Sequence, residues 1–250
     1  MSWRVPHRVG NPDSTLVGYL SDMALGRWLV RALIGIVLAG AILGIGTAPS
    51  MAATWTGRYS VYTQGSFSYQ HTDYTCVGAS VQMTLNMING TRLHSQSAQM
   101  DFWRYGRDHN RYGKKNNGVD PVGWVAALEH FGAGNYSINV AGSFQAGLRQ
   151  LATSMRAQHR PVGLFVDAGG HAWVMTGFEA TADPASTASF KVTSVQAMGP
   201  LYPDGTINGK PYDPGPGTWL SLDQLRTKFT PMRWARATEW NGRWIAVVPA

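Results

Sequence analysis

The chain is 250 residues long, 44% hydrophobic and carries ten tryptophans, enough to bury a single-domain core and too apolar for a disordered chain. Only 14% of residues are charged, and the formal net charge is +7. Four basic and two acidic residues precede Thr54, so residues 54–250 keep a surplus of five positive charges. That bias is too weak to argue nucleic-acid binding, and no nucleic-acid motif is present.

Ala32 to Ala53 carry no charge; Arg27 and Arg31 precede them, and Ser50-Met51-Ala52 closes the stretch with small residues. A basic flank, an apolar stretch and a small-residue exit form an export signal. The most apolar part, Ala32 to Ile45, falls short of the roughly 20 residues that a spanning helix needs. Cleavage near Ala52 or Ala53 is expected, with retention as a single-span membrane tether as the alternative. Either way residues 54–250 are expected outside the cytoplasm, secreted or membrane-anchored. Their mild basicity favours contact with an anionic cell wall.

Residues Thr54 to Thr72 read as irregular chain or a short strand. A helix is expected from Cys76 to about Asn89, where Asn89-Gly90 supplies a left-handed stop. Val77, Val81, Leu85 and Ile88 form one stripe, and Cys76, Ser80, Met83 and Met87 a second. Two apolar stripes place this helix in the centre of the domain. Residues 91–119 are polar and basic, and no regular element is expected there. Asp120-Pro121 opens a second helix, an N-cap followed by proline in the first turn. A third runs from about Ser143 to Gln158 on the stripe Phe144, Leu148, Leu151 and Met155. The period then changes to strands at 161–166, 171–178 and 190–198. Residues 199–217 are a loop rich in proline and glycine. Ser221 to Gln224 has the capping-box pattern of a short helix, and Asn241-Gly242 is a two-residue hairpin signal. Helices first and antiparallel strands after them predict an α+β domain, with no internal repeats.

Cys76 is the only cysteine, so no intramolecular disulfide can form. Exported domains use cysteine mostly in pairs. A single thiol there is either buried and inert or put to use. Helix N-termini carry unpaired N–H groups and favour thiolate over thiol. A nucleophilic thiol also needs a base and donors for the oxyanion it creates. Of the seven histidines, His171 is the candidate base, because it opens an apolar strand after Gly169-Gly170, where small residues leave a path to its ring. Gln70 lies six residues before Cys76 and can supply an oxyanion donor beside the Cys76 backbone N–H. Taken singly, a histidine is ordinarily a packed or surface ring and a glutamine a surface residue. The basic and aromatic segment 103–115 (Trp103, Arg104, Tyr105, Arg107, Arg111, Tyr112, Lys114 and Lys115) is ordinarily a solvated loop, with the lining of a substrate cleft as its alternative. No zinc-ligand spacing or phosphate-cradling loop is present.

Together, Gln70-x5-Cys76-Val77-Gly78-Ala79-Ser80 and the run Gly170-His171-Ala172-Trp173-Val174-Met175-Thr176-Gly177-Phe178 resemble the Gln, Cys and His boxes of papain-like cysteine peptidases. The nearest type is the bacteriocin-processing, double-glycine-leader peptidases and their exported relatives. The resemblance spans about residues 66–202, and the 95 residues from Cys76 to His171 suit that family. It implies a papain-like fold, with a central Cys-bearing helix on an antiparallel sheet. It also implies peptide or protein substrates, a thiol mechanism and no cofactor or metal.

The family places an Asp or Asn, followed by Pro, on the next strand to orient the histidine. Folding 171–199 as a hairpin puts Gly199-Pro200-Leu201 at that place, and glycine cannot orient an imidazole. Gln196 or Ser194 on the same strand is the substitute, whereas Asp183 belongs to the far end of the hairpin. A Cys–His dyad with a weak or missing third member is therefore expected. Three functions follow: an exported cysteine peptidase, a catalytically weak or inactive binding module with the peptidase fold, and acyl transfer to an amine.

Overall fold

The computed structural model describes residues 55–114, 117–204, 206–207 and 210–250. The expected export signal or membrane tether lies outside the described residues. Among the described residues no helix is long and apolar enough to cross a membrane. Residues Thr54–Ala250 form one compact unit.

Strand β1 (Arg58–Ser60) precedes three helices, α1 (Cys76–Asn89), α2 (Gln96–Asp108) and α3 (Pro121–His130). Strand β2 (Tyr136–Ala141) and helix α4 (Phe144–Gln158) follow. Then come β3 (Val162–Val166), a 3-10 turn (Asp167–Gly169), β4 (His171–Ala180) and β5 (Val192–Met198). A small ladder of β6 (Thr206–Ile207) and β7 (Lys210–Pro211) leads to β8 (Thr218–Ser221), α5 (Leu222–Arg226) and β9 (Trp244–Pro249). The domain is α+β. Its antiparallel sheet has the order β2-β9-β3-β4-β5-β8, and β1 pairs with the distal half of β4.

The caps act as their residue types require. Gly90 stops α1 at φ 63°, and the side chains of Ser95, Asp120 and Ser143 accept first-turn N–H groups of α2, α3 and α4. Ser221 and Gln224 close a reciprocal capping box on α5.

Helices lie on both faces of the sheet. On one face Val77, Val81 and Leu85 of α1 meet Phe102, Trp124, Leu128, Phe165 and Val247. On the other, Leu148, Leu151 and Met155 of α4 meet Leu164, Trp173, Met175 and Val195. Helix α1 is buried without a break from Val77 to Met87, as two apolar stripes require.

Two elements depart from the sequence reading. Helix α2 falls in the stretch read as irregular. Its buried stripe is Gln99, Phe102, Trp103 and Gly106, so a buried amide and a glycine hide the apolar period. Asn241-Gly242 forms a turn but no hairpin. The chain before it buries Ala237 and Trp240 against the α1–α3 core, and β9 pairs with β2 and β3 instead.

Helices α2 and α3 cross at a pair of glycines. A Cβ on Gly123 would lie 2.2 Å from the Gly106 carbonyl oxygen, and one on Gly106 would lie 3.1 Å from the Gly123 carbonyl oxygen. A backbone carbonyl cannot step aside as a side chain can. Gly123→Ala is therefore expected to lower unfolding free energy by about 1–3 kcal/mol. Urea denaturation followed by tryptophan fluorescence measures this, and an unchanged midpoint contradicts the close crossing.

Candidate active site

Cys76 is the first residue of α1. Thr75 precedes it at the N-cap position yet does not cap the helix. Its Oγ1 donates instead to Gln99 Oε1 at 2.8 Å. The first-turn N–H groups beside the thiol are therefore free of a side-chain cap, which suits a developing anion there.

A buried polar network holds this helix end. Gln99 Nε2 donates to the Tyr69 carbonyl (2.9 Å) and to Gln82 Oε1 (3.0 Å), while Gln99 Oε1 accepts the His71 N–H at 2.8 Å. Ser68 Oγ also donates to Gln82 Oε1, and Asn86 Nδ2 donates to the Ser66 carbonyl. Gln82 and Gln99 are fully buried, so each satisfied contact offsets a desolvation cost that an apolar substitute would leave uncovered on its partner. The network pins the segment 66–75 to α1 and α2.

His171 opens β4 after an unusual turn. Asp167, Ala168 and Gly169 are consecutive left-handed residues, with φ of 51°, 56° and 90°. Two of them carry a Cβ, so this backbone is strained and must be held from outside. The Asp167 N–H donates to the Lys228 carbonyl (2.8 Å) and the Ala168 N–H to Thr230 Oγ1 (3.0 Å). The Arg233 N–H donates to the Ala168 carbonyl (2.9 Å), and Tyr212 Oη donates to Asp167 Oδ2 (2.6 Å).

The imidazole has a carboxylate partner that the sequence reading did not find. His171 Nε2 lies 2.9 Å from Asp213 Oδ2. Asp213 is 2% exposed, and it also accepts the Trp173 Nε1–H on Oδ1 (2.8 Å) and the Leu201 N–H on Oδ2 (2.7 Å). Nε2 being engaged, Nδ1 is the ring nitrogen left to face Cys76, whose thiol is near enough to favour the charged ring. Asp213 and Cys76 thus both act on the His171 ring.

Burial, the largest influence on His171, disfavours its charged form. Hydrogen bonds to Asp213 and Cys76, with the charges on both, outweigh it and push the imidazole up to about 10. The ring is 9% exposed, so solvent does little to screen these contacts.

The structure corrects the expected orienters. Ser194 Oγ donates to Glu179 Oε2 at 2.6 Å. Gln196 Nε2 donates to the Gly217 carbonyl, and its Oε1 accepts from Ser60 and Thr176. Neither reaches His171, because Gln196 pairs with Gly177 and Ser194 with Glu179, well along β4 from its start. Val174 pairs with Met198, so Gly199 comes beside Trp173 and not opposite His171. A Cβ on Gly199 would stand 2.4 Å from the Asp213 carboxyl group and 2.6 Å from Trp173 Nε1. The glycine that cannot orient the ring vacates the space for the carboxylate that does. An Asp-Pro pair, Asp213-Pro214, is delivered instead by the long loop, and the Gly199 N–H donates to the Pro214 carbonyl at 2.9 Å. An Asp-Pro dipeptide within the loop was the available signal.

Gln70 is brought to this neighbourhood by its backbone N–H, which donates to the Pro200 carbonyl at 2.8 Å. Its Nε2 donates to the Thr72 carbonyl at 2.9 Å, and its buried Oε1 has no partner. The segment 103–115 divides. Trp103 to Arg107 belong to α2, while Tyr112 and Gly113 line a cleft of about 620 Å³ that also touches Gly169 and Gly170. Lys115 lies outside the described residues. Among the described residues, no group of three or more His, Cys, Asp or Glu is arranged to hold a metal ion.

The sign of the His171 shift gives a pH test. A raised folded-state value means the His171–Asp213 pair stabilises the fold fully below the ordinary imidazole value of 6.5, and that contribution fades as pH rises through about 10. The stability advantage of the parent over Asp213→Asn in urea denaturation is expected to be large at pH 6 and to shrink towards pH 10.5. A pH-independent difference contradicts the ion pair.

No protein-family model, curated protein or solved structure matches this chain.

Proposed function

We propose that the chain is a papain-like cysteine peptidase acting outside the cytoplasm, secreted or membrane-tethered, on peptide or protein substrates. The observation that carries this reading is the buried His171–Asp213 pair near Cys76, which stands at an uncapped helix start. The fold supports it in outline, since a buried central helix presents the thiol and an antiparallel sheet presents the base.

The Cys76 sulfur attacks the carbonyl carbon of the scissile bond, and the carbonyl oxygen becomes an oxyanion. First-turn N–H groups of α1 face that charge. Gln70 Nε2 has a second N–H beyond the one given to Thr72, and adds to them. As the tetrahedral species collapses, the carbon–nitrogen bond breaks and His171 protonates the departing amine. The acyl group stays on sulfur as a thioester. Water then attacks the thioester carbon, and His171 accepts its proton. The carbon–sulfur bond breaks, releasing the acid and restoring the thiolate–imidazolium pair. Asp213 holds the ring in one tautomer and favours its charged form, the work of an orienting residue. The binding-module alternative drew on a missing orienter, and Asp213 beside His171 speaks against that premise.

The test is hydrolysis of a pooled peptide library followed by mass spectrometry. The parent chain is expected to generate new termini and Cys76→Ala none, while Asp213→Ala cuts the rate by about two orders of magnitude or more. Glycine methyl ester in a parallel incubation separates hydrolysis from transfer, because transfer leaves the ester on the new C-terminus. Iodoacetamide reacts with the thiol directly, and its rate at neutral pH is expected to fall at least about tenfold in His171→Ala. No hydrolysis, together with alkylation indifferent to His171, overturns the proposal.

A further inference from the structure

The cleft beside Gly169-Gly170 has a chemistry of its own. Tyr112 and Trp234 supply aromatic surface, Asp120 and Arg236 supply charge, and Gly169 and Gly170, the two residues directly before His171, complete the lining. Every carboxylate near this cleft is already committed. Asp120 accepts the Gly123 and Tyr112 N–H groups at 2.9 and 3.1 Å. Glu239 accepts from Arg111 at 3.0 Å and from Tyr112 Oη at 2.6 Å. Asp167 takes the Tyr212 hydroxyl and lies 3.6 Å from Lys228 Nζ, and Asp108 pairs with Lys114. Among the described residues, Arg236 makes neither a side-chain hydrogen bond nor an ion pair. The same holds for Arg233, three residues before it. The cleft therefore presents aromatic surface and an unpaired guanidinium, while its one lining carboxylate, Asp120, is held on backbone N–H groups.

Resting on the peptidase reading, we propose that this cleft is a substrate subsite for a peptide whose acidic side chain meets Arg236 while a neighbouring aromatic or apolar residue packs on Tyr112 and Trp234. The guanidinium forms charge-assisted hydrogen bonds with the substrate carboxylate. Arg236 is exposed, so the discrimination it gives is modest and sensitive to salt. The occupant is an extended chain that passes Gly169-Gly170, the residues directly before His171.

The test uses the full chain carrying Cys76→Ala, which binds without turnover. Blocked pentapeptides Ala-Phe-Xaa-Ala-Ala, with Glu, Gln or Lys at Xaa, are titrated by calorimetry. The Glu peptide is expected to bind about fivefold tighter than the Gln peptide, with the Lys peptide weakest. Adding Arg236→Gln is expected to erase the Glu-over-Gln preference, and raised salt to narrow it. Equal affinities for Glu and Gln, a preference that survives Arg236→Gln, or no binding at all overturns the subsite. This readout needs no nucleophile. Charge-selective binding together with a parent chain that cleaves nothing leaves the subsite standing and removes the peptidase reading instead.

Discussion

The buried carboxylate of Asp213 is the contact on which the site's geometry depends. A carboxylate with almost no solvent is costly unless donors surround it. Three donors do so here: the His171 ring, the Trp173 indole and the Leu201 backbone N–H. They come from the start of β4 and from the chain just beyond β5, while Asp213 itself arrives on the long loop. One anion thus sets the His171 ring, fixes an indole and closes the loop over the end of β5. The neighbouring Tyr212 hydroxyl binds Asp167 and so ties the same loop to the strained turn ahead of His171. The loop and the turn hold each other.

The other half of the site is held by a different device. Cys76 stands at a helix start whose preceding segment has no strand partners, and buried amides take the role of a sheet. Gln82 and Gln99 gather the backbone of Tyr69 and His71 with the side chains of Ser68 and Thr75. Turning Thr75 towards Gln99 also leaves the first helical turn uncapped. The interaction that rigidifies the segment is thus the one that leaves donors open beside the thiol. A polar core at this point gives up apolar burial for directional placement, which suits a group whose position matters more than its contribution to stability.

Much of this was legible in the chain. The stripes of α1 and α4, the caps at Asp120, Ser143 and Ser221, the left-handed stop at Gly90 and the change of period after Pro161 all have local causes, and the elements form as they require. The two sharpest chemical candidates, Cys76 and His171, come near enough for the thiol to influence the ring. What was hidden was non-local. Helix α2 shows its buried face only once α1 and α3 surround it, because Gln99 and Gly106 are not apolar. Asp213 stands 42 residues after His171, and its role depends on how a loop folds back. Gly199 carries no signal of its own, because the absence of a side chain says nothing of what fills the space. The short apolar run before Asn241-Gly242 went to the core and not to a hairpin, a choice made by Trp240 and Ala237 on packing.

The central claim is that His171 is held as an imidazolium between Cys76 and Asp213. Following its ring nitrogens by ¹⁵N NMR from pH 5 to 11 measures that state directly. The account predicts that both nitrogens stay protonated well above neutral pH, that the ring titrates towards about 10, and that Cys76→Ala and Asp213→Asn each lower the midpoint. A ring that titrates near its ordinary value of 6.5 and ignores both substitutions would contradict it.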